Sequence, residues 1–305
     1  MLFWEKKKLL FRNKKKNFTH TQLPVSIKLG KTIRIFYSSR DKFGRSNPFC
    51  LDLSENLKIT KIHHKPLLNL GDPGTFDDMG IMPTCIFKIK NLYYLYYIGW
   101  NVSKNVPYSN NLGLAVSKDC LNFKKLYKSP ILQKTNLEPY FFGTANIYKK
   151  NKTYLMFYLS CNGWLKKKKK YEPIYDIKIA KSQNGINWYQ TGLTAIKLKN
   201  GEGGISSSSI IKHKNDYLMY YSVRKKFDYR KNKKNSYRIG LAKSKNLYNW
   251  SRTDKKFNLD LSKNSWDSEM MAYPNILKLK KSYLMFYNGN GFGKSGLGVA
   301  VAKIK

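Results

Sequence analysis

The stretch Tyr93-Tyr-Leu-Tyr-Tyr97 returns three times along the chain, as Tyr154-Leu-Met-Phe-Tyr158, Tyr217-Leu-Met-Tyr-Tyr221 and Tyr283-Leu-Met-Phe-Tyr287. A weaker copy, Ile33-Arg-Ile-Phe-Tyr37, precedes them, so the successive copies start 60, 61, 63 and 66 residues apart. Self-similarity at a fixed period indicates a repeat architecture. Because 305 residues divided by five is 61, the spacing predicts five repeats.

Two further phrases accompany each aromatic one. The phrase after it is small and apolar, with the copies Leu112-Gly-Leu-Ala-Val-Ser117, Ile177-Lys-Ile-Ala-Lys-Ser182, Ile239-Gly-Leu-Ala-Lys-Ser244, Leu297-Gly-Val-Ala-Val-Ala302 and the degenerate Phe49-Cys-Leu-Asp-Leu-Ser54. The phrase before it is represented by Met82-Pro-Thr-Cys-Ile-Phe-Lys-Ile89 and Tyr273-Pro-Asn-Ile-Leu-Lys-Leu279. All three are short, rich in β-branched and aromatic residues, and separated by Asn, Gly, Lys and Ser, so each is predicted to form a strand.

A fourth, outer strand is predicted after Asn122-Phe123, Asn187-Trp188 and Asn249-Trp250. Four antiparallel strands repeated five times, with almost no helical periodicity, predict an all-β protein with a five-bladed β-propeller. The last repeat stops after its third strand, and the segment from Phe3 to Phe11 is expected to supply the fourth and close the ring. The predicted single domain spans residues 1–305, with blades at approximately 18–65, 77–130, 138–195, 202–258, and 267–305 plus 1–12.

Composition narrows the classes of function. Hydrophobic residues make up 42% of the chain and aromatic residues 15%, which excludes disorder as its general state. The 58 Lys and Arg against 18 Asp and Glu give a net charge of +40, which would attract nucleic acid, anionic lipid or an acidic polymer. The lysines are spread over almost every segment, so a biased amino-acid composition is the alternative explanation of the charge.

Several classes of site are disfavoured by the sequence. No apolar run approaches the roughly 18 residues of a membrane span, and residues 1–8 lack the apolar region of a secretory signal, so a cytoplasmic protein is expected. No Walker loop, dinucleotide fingerprint, serine nucleophile elbow or H-E-x-x-H sequence occurs, and no cofactor is predicted. The cysteines have no metal-ligand or disulfide spacing and are expected to be reduced and structural, with no metal site; they are Cys50, Cys85, Cys120 and Cys161.

The repeat resembles, over nearly the whole chain, the five-bladed propeller glycosidases, which include arabinanases, xylosidases, invertases and levansucrases. Five strings are similar to an uncharacterised bacterial branch associated with surface-polysaccharide loci: Gly80-Ile-Met-Pro83, Tyr97-Ile-Gly-Trp-Asn101, Tyr237-Arg-Ile-Gly240, Trp266-Asp-Ser-Glu-Met270 and Tyr287-Asn-Gly-Asn290. The glycosidases usually carry a catalytic aspartate on the inner strand of the first blade, where this chain has Thr19-His-Thr21. The resemblance therefore implies that other blades supply the acids, that His20 participates, or that hydrolysis has been lost.

Acidic residues gather at one position in the repeat. Measured from Pro24, Pro83, Ala145, Ser208 and Pro274, which precede the aromatic phrases by about nine or ten residues, four of the five repeats carry an acid five to seven residues upstream. Inner strands of a propeller start around one mouth of the central channel, so these side chains are expected to converge there. They are Asp77, Asp78, Glu138, Glu202, Asp267 and Glu269. The alternative is that they pair with the basic side chains of this protein or bind an ordered ion.

Second strands end at the same face, where they offer indole, amide and guanidinium groups that suit a glycan pocket. The predicted substrate-binding residues are Arg40, Trp100, Asn101, Glu138, Trp164, Arg224, Asp267 and Asn288. Glycoside hydrolysis also needs a carboxylic acid with a raised pKa and a second carboxylate. Glu202 is predicted to be the general acid, Asp78 or its neighbour Asp77 the base or nucleophile, and Glu269 a residue that tunes a pKa or binds substrate.

Three alternatives to hydrolysis stay open. In phosphorolysis, phosphate replaces water, one acid suffices, and Arg40 and Arg224 would hold the phosphate. A noncatalytic glycan-binding propeller would depend on tryptophans and not on acids. An electrostatic binder of nucleic acid or of a membrane surface is least favoured, because most Tyr and Phe residues lie inside strand phrases.

Two lysine-rich segments, Lys166–Lys170 and Arg224–Lys234, connect second to third strands on the predicted pocket face. There they would favour an anionic glycan or a phosphate, although a charge run is usually only solvated. The predicted partner is therefore a carbohydrate, possibly an anionic one, with no specific nucleic acid and no transmembrane segment.

Overall fold

Strands make up nearly all the regular structure of the chain. The computed structural model describes residues 2–304, so residues 1 and 305, the outer ends of the predicted domain, lie outside the described part. Within it are a 3-10 turn, Asp254–Lys256, and a four-residue helical turn α1, Asn290–Gly293. The strands are β1 (Glu5–Phe11), β2 (Thr19–Leu29), β3 (Thr32–Arg40), β4 (Ser46–Ser54), β5 (Ile59–His63), β6 (Gly80–Ile89), β7 (Leu92–Asn101), β8 (Ser109–Ser117), β9 (Lys124–Lys125), β10 (Phe142–Lys150), β11 (Thr153–Lys167), β12 (Lys170–Ser182), β13 (Tyr189–Ile196), β14 (Glu202–His213), β15 (Asp216–Lys225), β16 (Arg238–Ser244), β17 (Ser251–Arg252), β18 (Ala272–Lys278), β19 (Ser282–Asn288) and β20 (Leu297–Lys303). The predicted all-β class is confirmed.

The strands pair antiparallel in groups of four, which we call repeats 1 to 5. Repeat 1 is β2–β5, and repeats 2, 3 and 4 follow as β6–β9, β10–β13 and β14–β17. Repeat 5 contains β18–β20, and β1 pairs antiparallel with β20 as its fourth strand. Repeats 1 and 2 are joined by one parallel residue pair, Ser46 with Gly80. Repeats 3 and 4 are joined by another, Tyr175 with Gly204.

The first strands of the repeats contact one another in cyclic order: β2 with β6, β6 with β10, β10 with β14, β14 with β18, and β18 with β2. Hydrogen bonds cross these contacts. The Ala145 amide donates to Thr84 Oγ1 at 2.8 Å, and the Ser207 amide donates to Thr144 Oγ1 at 2.8 Å. The first strands therefore lie innermost, with the later strands of each repeat outside them.

Each first strand is irregular at the residue used above as its anchor. The pairing register shifts between Gln22/Val25, Pro83/Cys85, Phe142/Ala145, Ser206/Ser209 and Ala272/Asn275. Leu23, Ser207 and Tyr273 have positive φ at these points. A β-bulge redirects nearby side chains and is common beside functional sites. The five bulges lie at the corresponding point of each first strand.

The core lies on the faces of the repeats and is built from the aromatic phrases. The last tyrosine of each phrase is at most 2% exposed: Tyr37, Tyr97, Tyr158, Tyr221 and Tyr287. Full burial of a large side chain contributes about 2 kcal/mol, so the phrases stabilise the fold that they predict. All four cysteines are buried free thiols. No helix between residues 2 and 304 is long and apolar enough to cross a membrane.

Candidate functional site

The candidate site lies on the face where the first strands begin and the second strands end, which we call the mouth face. It contains the starts of β2, β6, β10, β14 and β18 and the ends of β3, β7, β11, β15 and β19. All twelve sequence-predicted site residues lie on these strand ends or in the segments that lead to them. Some of these side chains are bound by contacts inside their own repeats, and the others are not.

Asp77 is held in a buried cluster inside repeat 2. It is 2% exposed, accepts a 3.1 Å hydrogen bond from the Tyr97 hydroxyl and pairs with Lys125 Nζ at 2.7 Å. The Tyr97 ring occupies the space over Gly113, where a Cβ would lie 2.2 Å from the ring. Since Gly113 lies on the third strand and Lys125 on the fourth, Asp77 is bound over the outer half of its repeat.

The same arrangement recurs in repeats 3 and 5, and we call it the acid–tyrosine cluster. Glu138 accepts hydrogen bonds of 2.8 and 2.9 Å from the Tyr158 hydroxyl, and Lys178 Nζ lies 3.8 Å away. Asp267 accepts from the Tyr287 hydroxyl at 3.0 Å and pairs with Lys6 Nζ at 2.7 Å. In all three repeats the tyrosine follows its acid by 20 residues.

Repeat 4 replaces the single acid with two. Tyr221 donates to Asp254, and Arg252 binds Glu202 through two hydrogen bonds of 2.6 and 2.8 Å. Burial raises the pKa of Glu202, but the Arg252 guanidinium and the Lys199 amide outweigh burial and hold that pKa below its usual value. A general acid needs the protonated form near neutral pH, so the environment of Glu202 opposes the role predicted for it.

The shared sequence offset of the acids thus has a structural cause. Four of the predicted carboxylates are bound by a hydroxyl, a cation or both inside their own repeats: Asp77, Glu138, Glu202 and Asp267. Among the described residues, none of these four carboxylates hydrogen-bonds or ion-pairs with another of the four. The contacts fit the alternative in which the acids pair with basic side chains.

Asp78 and Glu269 keep carboxylates outside these clusters. Asp78 is half-buried; its Oδ2 accepts from the Gly74 amide at 2.9 Å, and its Oδ1 is buried with no hydrogen-bond partner. Glu269 is exposed, and the contacts found for it in residues 2–304 use only its backbone, including a 2.8 Å hydrogen bond from its amide to Asn290 Oδ1. Glu269 is therefore exposed to a ligand at the mouth face, and Asp78 keeps one buried carboxylate oxygen without a partner.

Backbone hydrogen bonds at the junction of repeats 1 and 2 link the loop of Asp78 to the strands that carry Arg40 and Trp100. Arg40 pairs across the hairpin with Ser46, whose amide donates to the Met79 carbonyl beside Asp78. The Met79 amide in turn donates to the Trp100 carbonyl at 3.1 Å. The Trp100 indole covers Gly80, where any Cβ would lie 2.0 Å from Nε1. This glycine is required because only a residue without a side chain lets the indole lie there.

Buried polar atoms without hydrogen-bond partners occur at this junction, as they do elsewhere in residues 2–304, including Asp267 Oδ1 of an acid–tyrosine cluster. Arg40 Nε and Trp100 Nε1 are buried without hydrogen-bond partners, and Gln22 Oε1 is buried and unpartnered near the start of β2. Buried polar groups are normally hydrogen-bonded, so these three atoms are candidates for ligand contact. Asn101 lies beside the same loop, with Nδ2 3.5 Å from the Thr75 carbonyl.

The junction is also electropositive. Burial, followed by the charges of Arg40 and Lys294, lowers the pKa of His20 from 6.5 to about 4. Arg40 is itself desolvated, which lowers its pKa, and it lies in the electrostatic field of Tyr273 and Arg230. A partly buried guanidinium with a free N–H and neighbouring cations suits an anionic group.

Three other predicted binding residues have structural contacts. Arg224 is 2% exposed, donates to Tyr175 Oη at 2.9 Å and to the Pro173 carbonyl at 2.6 Å, and stacks on the Tyr229 ring at 3.9 Å. Asn288 is fully buried and links β19 to β2 by accepting from the Leu23 amide at 2.8 Å. Trp164 is half-buried and packs against Phe141 and Tyr108.

Sequence reasoning missed Gln22, Lys294 and Tyr273 as neighbours of this junction. Gln22 lies two residues before the anchor Pro24, which was a usable signal. Lys294 follows α1, where Gly291 and Phe292 adopt positive φ, and this turn was not predictable from the repeat. In the part of the chain that the structure describes, no group of three or more His, Cys, Asp or Glu side chains could hold a metal ion.

Sequence comparisons give two kinds of relative. An uncharacterised protein of Mycobacterium tuberculosis is 29% identical over 287 residues, which are 93% of this chain and 92% of that protein. A 1,2-β-oligomannan phosphorylase of Thermoanaerobacter is 25% identical over 140 residues, 45% of each chain. No protein-family model matches the sequence.

Solved structures of glycoside hydrolases share the fold. A glycosyl hydrolase from Bacteroides ovatus superposes with a TM-score of 0.73 at 16% identity, covering 98% of this chain and 93% of that one. A structure from family 130, described as mannoside phosphorylases that include hydrolases targeting β-1,2 mannosidic linkages in Candida mannan, gives 0.71 at 16% identity with the same coverage. A thermostable family-43 glycoside hydrolase gives 0.67 at 15% identity, over 96% and 92% of the two chains. The chain therefore has the propeller-type fold of these glycoside hydrolases.

Proposed function

We propose that this protein is an enzyme that cleaves or transfers an O-glycosyl bond of a glycan at the mouth face of a five-bladed propeller. The cyclic contacts of the five first strands support the five-bladed arrangement, and the pairing of β1 with β20 supports closure by the N-terminal strand. The blades are the segments predicted above, and the chain is one domain. A surface-polysaccharide precursor as substrate and a cytoplasmic location complete the proposal.

One observation carries the enzymatic role: the half-buried carboxylate of Asp78, one oxygen of which has no hydrogen-bond partner, lies beside Met79, whose backbone is hydrogen-bonded to Ser46 and Trp100, on a glycoside-hydrolase fold. Asp78 is the catalytic carboxylate of this proposal, and Glu269 is the second acid. Trp100 offers a half-buried ring for stacking on a sugar. Arg40 and Asn101 offer donors for its hydroxyls.

Phosphorolysis is the second candidate, favoured by the uncompensated charge of Arg40 beside His20 and Lys294. In that reaction a phosphate oxygen attacks the anomeric carbon and the glycosidic C–O bond breaks. The leaving oxygen then takes the proton of a single acid, assigned here to Asp78. The single acid suits a site in which Asp77 and Glu202 are already ion-paired, and the similarity to an oligomannan phosphorylase over part of the chain agrees with this reaction.

An anionic substrate would depend on the two lysine-rich segments. Two ion pairs neutralise part of the positive charge of the lysine-rich segments. Lys167 pairs with Asp228 at 2.6 Å, and Arg230 pairs with Glu172 at 2.5 Å. The remaining lysines are exposed except for the half-buried Lys226, so screening limits their effect to about 8 Å at physiological salt. Association with an acidic glycan that does not depend on salt would remove these segments from substrate recognition.

The test is turnover of a panel of oligosaccharides, including β-1,2-linked manno-oligosaccharides, with and without inorganic phosphate. Cleavage without phosphate, to free sugars alone, identifies a hydrolase; phosphate-dependent release of a sugar 1-phosphate together with the shortened glycan identifies a phosphorylase. Asp78→Asn is expected to lower the rate 10²- to 10⁴-fold, the usual contribution of an acid or base, while Asp72→Asn, an exposed residue of the same loop, leaves the rate unchanged. Binding of a glycan without turnover under either condition would contradict the proposal and favour a noncatalytic binding module.

A further inference from the structure

Two cavities of similar size occupy equivalent positions in successive repeats. One, of about 550 Å³, lies between the segment that leads into β6 and the outer edge of repeat 2 at residues 123–128. The other, of about 510 Å³, lies between the segment that leads into β10 and the outer edge of repeat 3 at residues 186–190. Pro66-Leu67 in the first corresponds to Pro130-Ile131 in the second, and Phe123 corresponds to Trp188. The lining side chains of the two cavities can therefore be compared at the same position of the repeat.

The two cavities differ in charge. The cavity of repeat 2 is lined by Lys124, Lys125, Lys128, Asp72 and Asp77 among others. In repeat 3, Tyr189 and Gln190 replace Lys124 and Lys125, and no Lys, Arg, Asp, Glu or His lines the cavity. The chain has 58 Lys and Arg in 305 residues, so a cavity lined by eleven residues without one is unusual in this protein. Its lining carries no formally charged side chain.

The aromatic side chains of the repeat 3 cavity face solvent. Tyr189 is 72% exposed and Tyr127 is 42% exposed. A tyrosine ring offers a flat apolar face and a polar hydroxyl at its edge, which matches the apolar C–H face and hydroxyl edge of a sugar ring. The exposed amides of Gln133 and Asn187 supply both donors and acceptors next to these rings.

The inner wall of the cavity is fixed by contacts with the core. The Trp188 ring packs edge-on against Tyr96 at 6.2 Å, and the Tyr96 hydroxyl donates to the Gly185 carbonyl. Gln190 Nε2 donates to Glu138 Oε1 at 3.2 Å, so the acid–tyrosine cluster of repeat 3 holds the base of the cavity. A preformed wall lowers the ordering cost of binding.

We propose that this cavity, formed by Tyr127, Trp188 and Tyr189 with their neighbouring amides, binds a neutral oligosaccharide. It uses none of the residues assigned to the mouth face, so it is a second glycan subsite and not part of the catalytic centre. Burial of an exposed tyrosine face against sugar, together with uncharged hydrogen bonds, makes binding insensitive to salt, in contrast to any ligand of the lysine-lined cavity in repeat 2.

The experiment is calorimetric titration of the full-length Asp78→Asn protein, which prevents turnover, with the neutral hexasaccharides mannohexaose, cellohexaose and xylohexaose and with anionic hexagalacturonate. At least one neutral hexasaccharide is expected to bind and to slow amide hydrogen exchange in residues 127–135 and 186–190. Tyr189→Ala should weaken that binding at least 10-fold. Tyr189→Lys, which restores the repeat 2 residue, should do the same, and Leu193→Ala, a 50% exposed residue of the same strand outside the cavity, should leave affinity unchanged.

The site would be disproved if no neutral hexasaccharide bound at millimolar concentration, if only hexagalacturonate bound, or if both Tyr189 variants kept full affinity and exchange protection. Tyr189 is exposed, so its variants should fold, and circular dichroism checks this. The outcome is separable from the proposed function, because an enzyme inactive on every glycan can still bind here, and an active one can lack this site.

Discussion

Asp77 and Asp78 are neighbours in sequence, yet they belong to two regions with opposite electrostatic arrangements. The acid–tyrosine cluster around Asp77 pairs a buried carboxylate with a tyrosine hydroxyl and a lysine. The junction around Asp78 leaves a carboxylate oxygen, a guanidinium N–H and an indole N–H without partners. The first arrangement recurs in three repeats and the second does not. The arrangement that recurs in three repeats serves the fold, and the arrangement found once is the candidate for function.

The clusters stabilise the repeats because a buried charge is tolerated only when it is paired and hydrogen-bonded. Each cluster joins the segment entering a repeat to its second strand and to a later one. The hydroxyl of a core tyrosine must also find a partner when its ring is buried. Removal of the acid therefore takes a shared acceptor from the tyrosine hydroxyl and the lysine, and this gives the prediction that follows.

The largest effect is expected for Asp267→Ala. Lys6 and the Tyr287 hydroxyl would lose their common acceptor, and loss of one partner from a buried ion pair costs about 3 to 5 kcal/mol. The measurement is the free energy of unfolding in urea, with Asp72→Ala as the control because its ion pair with Lys128 is solvent-exposed. Equal stability of the two variants would mean that the cluster does not support the fold.

A smaller loss is expected for Glu202→Gln. The variant keeps shape but removes the charge opposite Arg252, so the free energy of unfolding should fall by about 2 kcal/mol, the contribution of a hydrogen bond to a charged group. Turnover of the glycan substrate should be retained once the variant is folded. A loss of 10²-fold or more in rate with unchanged stability would instead restore Glu202 as the general acid.

The smallest effect concerns pH. The pKa of folded His20 is about 4, against 6.5 ordinarily, because of burial and the charges of Arg40 and Lys294. Between these values the unfolded chain binds more protons than the folded one, so this residue makes stability fall as pH drops from 6.5 to 4. His20→Asn should show a shallower decline over that window in urea unfolding measured at several pH values. Identical pH slopes would show that His20 is not desolvated.

Much of the fold was readable from the sequence, because the three phrases carry their own strand signals and the first repeat, although degenerate, keeps the spacing. The position of Phe3–Phe11 as a fourth strand followed from counting what the last repeat lacks. The anchors coincide with the bulges, since proline and small residues tolerate the break in pairing there.

The roles of the acids were not readable in the same way. The offset of Asp77 from its strand was visible, but the cation that pairs with it comes from a strand 48 residues away, and only folding brings the two together. The constant 20-residue step from acid to tyrosine was a usable signal of a structural role. Burial of Arg224 among tyrosines depends on the loop that contains Tyr229, which no repeat pattern specifies.

The most direct test of the contrast between the two regions is to compare Asp77→Asn with Asp78→Asn in one experiment that measures both unfolding in urea and glycan turnover. Asp77→Asn is expected to lose about 3 kcal/mol of stability, because Lys125 and Tyr97 lose the charge between them. Asp78→Asn is expected to stay within about 0.5 kcal/mol of the parent, as for a residue outside such a pair, while turnover falls at least 10²-fold. The reverse pattern, with a stable inactive Asp77→Asn and a destabilised active Asp78→Asn, would contradict the assignment of structure to the clusters and chemistry to the junction.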